Sequence, residues 1–464
     1  MIRINGQEVY TPPGHKIHYA LVNPYLVYDS VPGNQAQLPA LPAVRHNRAI
    51  FSYYEEPQAG AYLPELEFQH FYGGELIREG YLILTEASEM GGYKGTYTDR
   101  LGLFFGAYQN LSMQEIDFGT IEAPTPLPVV IVDEGMICVC FPTILNEAFY
   151  GTNGASVSYS GRVNDYQAGA YVTGPKVPHF GVAWILKKMA ELTDTTVDGD
   201  FFEHPEWSQL VLANMRAWEA GPIDISNHLP PWTIGQFLLE LRKVPNLKLS
   251  FNPVKKHLRI DFWENDLLAE TTRNWTGRAL LGETKTPEPN NRIQLVMAVD
   301  GSDALAKDKP VPLADYISPE VPGGKNGIAK VEMKFSTLLT DTGTGLAMCR
   351  QEGQTSQFAQ DAKTWDPRLL FWHGLVGGVP KATNTLGDYS LFPAVLATTT
   401  WKETIALRKR MFYLQKSLVL SETDLARLDF AKKIHIEGVD YLLAQLNITV
   451  PIRDKATALL IGGV

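Results

Sequence analysis

Apolar residues between His179 and Trp263 recur three times at helical spacing and then alternate through two short runs. Val182, Ile185, Leu186, Met189 and Leu192 keep the i, i+3, i+4, i+7 interval that lines one helix face. Trp207, Leu210, Val211 and Trp218 make a second stripe, and Pro205 suits the first turn of a helix there. A third helix is predicted from Thr233 and Gln236 at capping-box spacing, followed by Ile234, Phe237, Leu238 and Leu241 and stopped by Pro245. Leu247, Leu249 and Phe251 then alternate, Asn252 and Pro253 supply a turn, and Leu258, Ile260 and Phe262 alternate back. This pattern predicts three helices feeding a hairpin with one wet face, a unit made to pack.

Residues 1–120 read as β throughout. Tyr25 to Tyr28 is a strand candidate, and LPALPAV from Leu38 is a proline-punctuated extended segment. Leu66, Phe68 and His70 alternate with Glu65, Glu67 and Gln69, Gly73 and Gly74 make a turn, and Leu76 to Leu84 returns. Tyr93 to Arg100 alternates again, so an antiparallel barrel or sandwich is predicted. Residues 121–178 dissolve into Pro, Gly, Asn, Ser and Tyr around one short strand at Met136 to Phe141, as in an arm held by a neighbouring subunit. Leu267 to Arg278 is partly helical by pattern, and Ala304 to Lys325 reads as an exposed loop closing the α+β unit of residues 179–330. A second β domain, 331–464, opens with VEMKFSTL at Val331 and resumes at Arg368. It ends on a helical turn at Ser421 to Leu428 and strands at Lys433 to Ile436, Tyr441 to Val450 and Ala456 to Ile461. The expected class is therefore α+β and β-rich, with two antiparallel, barrel-like β regions bracketing a helix-and-hairpin module.

At 464 residues the chain exceeds one ordinary core. Hydrophobic residues at 45% and charged residues at 20%, with no long apolar run, give no reason to expect a membrane span. MIRINGQEVY lacks the layout of a secretory signal, so synthesis and folding in a reducing cytosol are expected. Cys138 and Cys140, at i and i+2 of a β-like run, should share one strand face as small apolar residues, with Cys349 far off. The formal charge of −10 is unevenly placed. Residues 1–150 hold 7 Lys and Arg against 17 Asp and Glu, and the remainder holds 34 of each. Such acidity argues against a grip on nucleic acid, which needs clustered cations, but suits a wall past which DNA slides.

No nucleotide loop, nucleophile elbow, zinc-protease helix or calcium loop is found. His15 and His18 form an HxxH with no helix to align them, and Glu203, His204 and Glu206 sit where a helix N-terminus would favour acids. Glu65 with Glu67 and Glu55 with Glu56 are acid pairs that a glycoside hydrolase could use, yet nothing singles them out among 51 acids. Trp184, Trp207, Trp218 and Trp232 lie in or beside helical stripes and read as core. No catalytic, cofactor-binding or metal-binding residue is therefore assigned, and no cofactor is expected.

The order of parts is informative. PALPAVRHNRAIFSYYEEP, LEFQHFYGGELIREGYLILTEAS, WTIGQFLLELRKVPNLKLSFNPVKKHLRIDFWE and KKIHIEGVDYLLAQLNITVPI together resemble the baseplate hub and tail-tip proteins of tailed bacteriophages. FFEHPEWSQLVLANMRAWEA is similar to tail proteins of phages and prophages of Bacteroidetes hosts. The resemblance implies a homotrimer whose paired β domains form a pseudo-sixfold ring, joining a sixfold tail tube to a threefold tip. It further implies the distal tail protein, the tape measure and a tip spike or fibre as partners, DNA only in transit through the lumen, and a place in the virion tail. Some relatives carry a cell-wall-cutting or spike domain, whereas this sequence stops at IGGV, so no such activity is expected of it. A host-surface glycan-binding protein of the tail tip, and after it a free hydrolase, are the alternative readings.

Overall fold

The computed structural model describes residues 1–31, 33–59, 65–99, 106–151, 158–252, 254–355 and 365–464; Arg100 and Pro253, used above, lie outside them. The longer elements run from β1 (Ile2–Ile4), β2 (Gln7–Val9), β3 (Ile17–Val22) and β4 (Gln35–Leu41) through α1 (Arg45–Ile50) to β5 (Leu66–Tyr72), β6 (Glu75–Ser88) and β7 (Gly92–Thr98). The middle of the chain supplies β8 (Val130–Asp133), β9 (Met136–Cys140), β10 (His179–Gly181), α2 (Val182–Leu192) and β11 (Leu210–Ala213). It continues with α3 (Ile234–Lys243), β12 (Leu247–Asn252), β13 (His257–Phe262), α4 (Trp263–Leu268), β14 (Ala279–Pro287), β15 (Arg292–Met297) and β16 (Ile328–Met333). The last part adds β17 (Arg368–Val376), β18 (Val379–Thr383), α5 (Lys402–Arg410), β19 (Phe412–Leu418), α6 (Glu422–Ala426), β20 (Ile434–Ile436), β21 (Val439–Val450) and β22 (Ala456–Gly462). The class is α+β and rich in strand.

The largest sheet has thirteen strands among the described residues, in the order β2-β1-β5-β6-β7-β4-β3-β21-β22-β19-β14, with β20 paired beside β21 and the short strand Arg273–Asn274 paired parallel to β20. Strands from both chain ends therefore share one sheet, joined where Ile17 faces Val450 and Val22 faces Gln445 in antiparallel register. Its turns follow from residue type. Gly73 and Gly74 at φ 58 and 87, and Glu437 and Gly438 at φ 51 and 86, take the doubly left-handed turn whose twist matches a hairpin. Ile4 and Phe68 from one end pack into the same buried cluster as Leu414, Leu418, Leu446 and Leu460 from the other, so the sheet curls round a single core.

A second body surrounds a six-stranded sheet of order β18-β17-β11-β10-β9-β8. Residues 121–178 enter it through β8 and β9, and Phe141, Ile144 and Phe149 are buried there. α2 packs on this sheet through Val182, Ile185, Leu186 and Met189. α3 starts where predicted, with the Thr233 hydroxyl accepting the Gln236 amide, and β12 and β13 pair as the expected hairpin.

Five local expectations differ from the structure. Residues 1–120 are not β throughout: Arg45–Ile50 form α1, whose buried Asn47 holds the Tyr10 and Pro42 carbonyls. The predicted Trp207–Trp218 helix is one 3-10 turn, Trp207–Gln209, followed by β11. Leu210, Val211, Leu212 and Ala213 are all buried because β11 lies inside the sheet between β10 and β17, where both strand faces are apolar. Tyr25 to Tyr28 is a turn, since the Arg242 guanidinium takes the Val27 and Pro24 carbonyls that a ladder would have used. Cys138 and Cys140 do not share a face. The register of β9 against β8 shifts between Ile137 and Val139, a bulge that reverses the alternation and places Cys138 in the core with Phe180 and Cys140 in a separate cluster with Val177 and Leu370. Within 304–325, Leu313 and Ser318 are fully buried, and Tyr316 pairs with Leu295 on β15, so this stretch is anchored and not a free loop.

Candidate functional site

A cleft of about 240 Å³ opens where the end of β13 turns into α4 and faces the approach to α5; His204, Trp207, Phe262, Glu264, Asn265, Asp388, Tyr389, Thr399 and Thr400 line it. Four rings form its apolar wall. The His204 ring lies 5.0 Å from Phe262 and 5.2 Å from Tyr389, and Trp207 lies 5.6 Å from Tyr389. Offset and edge-on contacts of this kind hold each ring in one place. Tyr389 is set by a tight turn at Gly387, whose φ of 58 suits glycine and where a Cβ would lie 3.1 Å from the Glu206 carboxylate.

Glu264 stands in the first turn of α4, and one of its carboxylate oxygens accepts the Glu403 amide at 2.9 Å. It thereby caps α5, which has no side-chain cap of its own. Burial nevertheless pushes this carboxyl up to about 7, against that amide and Lys402, with Glu403 adding to the rise. Burial holds His204 below its ordinary value, opposed by Glu206, so its ring is neutral at pH 7. Burial, followed by the fields of Glu206, Glu264 and Asp388, raises the Tyr389 phenol. The indole nitrogen of Trp207 and the hydroxyl of Thr400 are buried in the wall without a hydrogen-bond partner.

The residues considered from the sequence are scattered. His15 and His18 do not converge: His18 is exposed and bonds Thr449 at 2.7 Å, and both ring nitrogens of His15 lack partners. Glu55 and Glu56 both bind Arg48, and Glu55 also accepts from Tyr93, which makes them structural anchors of the α1 turn. Glu65, just before β5, and Glu67, on its wet face, are exposed. Of Glu203, His204 and Glu206, only His204 lines the cleft. Trp184 and Trp207 are buried, while Trp218 and Trp232 are half-buried. All three cysteines are buried thiols. Among the described residues no cluster of three or more His, Cys, Asp and Glu could hold a metal, and no helix is long and apolar enough to cross a membrane. Sequence reasoning missed Glu264, Asp388, Tyr389 and Thr400; they come from segments far apart in the chain, and none carries a local motif.

No family model matches the chain, and no curated protein matches it. Solved structures of tail proteins are similar to it in fold. A 43 kDa tail protein of prophage MuSo2 from Shewanella oneidensis has 9% identity and a TM-score of 0.40, over 99% of this chain and 96% of that one. A tail protein from Neisseria meningitidis MC58 has 10% identity and a TM-score of 0.39, over 100% and 95%. A component of the type VI secretion system of E. coli, itself described as structurally similar to tail proteins of bacteriophage T4, has 7% identity and a TM-score of 0.37, over 100% and 77%.

A second feature concerns assembly. The thirteen-stranded sheet ends in β2 on one side and β14 on the other. β14 is exposed along nearly its whole length on both faces, with Leu281 at 99% and Leu280 at 38%. An open edge offers unpaired amides and carbonyls to another chain.

Proposed function

We propose that this chain is a structural subunit of a tail-tip or baseplate hub, closing with two further copies into a threefold ring that joins a tail tube to the tip and leaves an axial passage. The observation that carries this reading is the thirteen-stranded sheet itself: both ends of the chain are sewn into one curled wall at β3 and β21, and among the described residues that wall is left with an open edge at β14, whereas the β2 edge is covered by His46 and Asn47 of α1. A ring of identical copies covers such an edge without further parts. The four segments 1–120, 121–178, 179–330 and 331–464 are the units whose surfaces would meet neighbours. In this reading the acidic first 150 residues keep DNA and the tape measure from sticking as they pass, and the distal tail protein and a spike or fibre dock outside. The protein works by fit, in the virion tail, and not by bond making.

Light scattering on the purified full chain, with two-dimensional averages of negatively stained particles, tests the reading. A threefold ring with a central opening is expected. A protomer that stays single in solution and has no threefold neighbours in the particle overturns it.

A further inference from the structure

Directly opposed residues of an antiparallel pair share one face of the sheet, so the register of the large sheet lays its outward side chains in rungs. One rung is Thr96, Gln37, His18 and Thr449, crossing β7, β4, β3 and β21. A second is Gln35, Ala20, Asn447, Thr457 and Ser417, from β4 to β19. A third is Val22, Gln445, Leu459, Gln415 and Thr284, from β3 to β14. All are exposed or half-buried, and none is Asp, Glu, Lys or Arg. On β14 the charges Glu283 and Lys285 alternate with Thr284 and fall on the other face, where Glu283 meets Lys416. Charge returns only at the rim, with Lys16 just before β3, Lys94 on Glu86, and Glu79 and Glu67 on β6 and β5. The acids of the first 150 residues thus stand beside this face and not on it.

One residue in five of the chain is charged, and ordinary outward strand faces show it, as Lys330 and Glu332 do on β16. A neutral face this wide is therefore unlike a free outer surface. It is also unlike a contact between copies, which gathers aromatic residues, Met and Arg, and where every amide or hydroxyl left without a partner is costly. Uncharged amides and hydroxyls keep their water and hold no ion. No Lys or Arg is there to grip a phosphate, and no Asp or Glu repels a polyanion brought close in a narrow space. We propose that this neutral face lines the axial passage of the ring and lets a polyanionic chain slide along it; the inference rests on the hub reading and names the surface that faces inward.

Asn447→Cys and Gln37→Cys, made separately in the full chain, each place one reactive thiol on the face, because the three native thiols are buried. Maleimide-gold is expected to label both variants in the assembled ring and to lie within the central opening in end-on averages of stained particles. Gold at the outer perimeter, or a thiol that labels in the protomer and is shielded in the ring, overturns the proposal and leaves the hub reading standing. Absence of any ring overturns both. Gln37→Lys with Asn447→Lys is expected to make the ring retain short duplex DNA about tenfold more tightly at low salt than Val132→Lys with Val311→Lys, which adds the same charge at exposed positions elsewhere. Equal retention by the two double variants overturns the role given to the missing charge.

Discussion

His70, His179 and His228 are each at most 5% exposed, and the protein holds them neutral for separate reasons. Burial, then the chain amino group, His15 and Arg78, lowers His70 to about 3, with its Nδ1 against the Tyr19 hydroxyl at 2.7 Å. Burial alone takes His179 to about 4 against the Val177 carbonyl, and burial with Arg216 and His179 takes His228 to about 3. In the unfolded chain each titrates near 6.5, so unfolding below that pH takes up protons the native state refuses. Their contribution is whole above pH 6.5 and is lost as pH falls toward 3 to 4. Urea titrations are expected to show stability falling between pH 6.5 and 4 at up to ~1.4 kcal/mol per pH unit for each histidine. His228→Gln should flatten that slope; an unchanged slope would show that His228 is not held neutral. Arg368 is the buried cation of comparable consequence, 1% exposed and paired with Asp300 at 3.0 Å and with the Gln351 side chain at 2.7 Å. Removing it strands a buried carboxylate, so Arg368→Ala is expected to cost ~3–5 kcal/mol in the same assay.

Elements divide by how local their causes are. α3 was legible in full, because cap, stripe and stop all lie within a dozen residues, and Thr233→Ala is expected to cost ~1 kcal/mol in chemical denaturation by freeing the Gln236 amide. The β20–β21 hairpin was equally plain from its Glu437–Gly438 turn and the alternation that follows. What could not be read were features decided by distant partners. β11 has the apolar spacing of a helix, yet it is a strand because β10 and β17 flank it, and β17 comes over 150 residues later. The bulge in β9 is invisible in MICVC, since it depends on register with β8 and on the tight approach of β10 at Gly181, where a Cβ would lie 1.9 Å from the Ile137 carbonyl. The cleft escaped for the same reason: of its lining, His204 had drawn notice only as one of an acidic trio and Trp207 only as core. Bulge or not, all three thiols are inaccessible, and burial raises Cys138 and Cys349 to about 12. An aromatic disulfide reagent is expected to find no thiol in the native protein and three after denaturation.

For the whole molecule, the question is what the two ends of the large sheet are for. Among the described residues β14 is held by β19 alone, is bent by an irregularity between Ala279 and Glu283, and turns Leu281 fully to solvent. Lys285 and Pro287 lie on it as well, residue types that discourage indiscriminate pairing at an edge, so the strand is suited to one defined neighbour. If copies close into a ring, this edge is covered in the assembly, and a charge placed there should separate folding from association. Leu281→Asp touches nothing buried in the single chain, so its unfolding midpoint as a protomer should match the parent within ~0.5 kcal/mol. Its assembly should not, because the carboxylate would be desolvated at the subunit contact. Light scattering is expected to find this variant as protomer at concentrations where the parent is trimeric. Leu443→Asp gives the contrasting result: Leu443 is fully buried on β21, and a charge there should abolish the fold itself. If Leu281→Asp assembles like the parent, β14 lies outside the contact and ring closure must run through other surfaces.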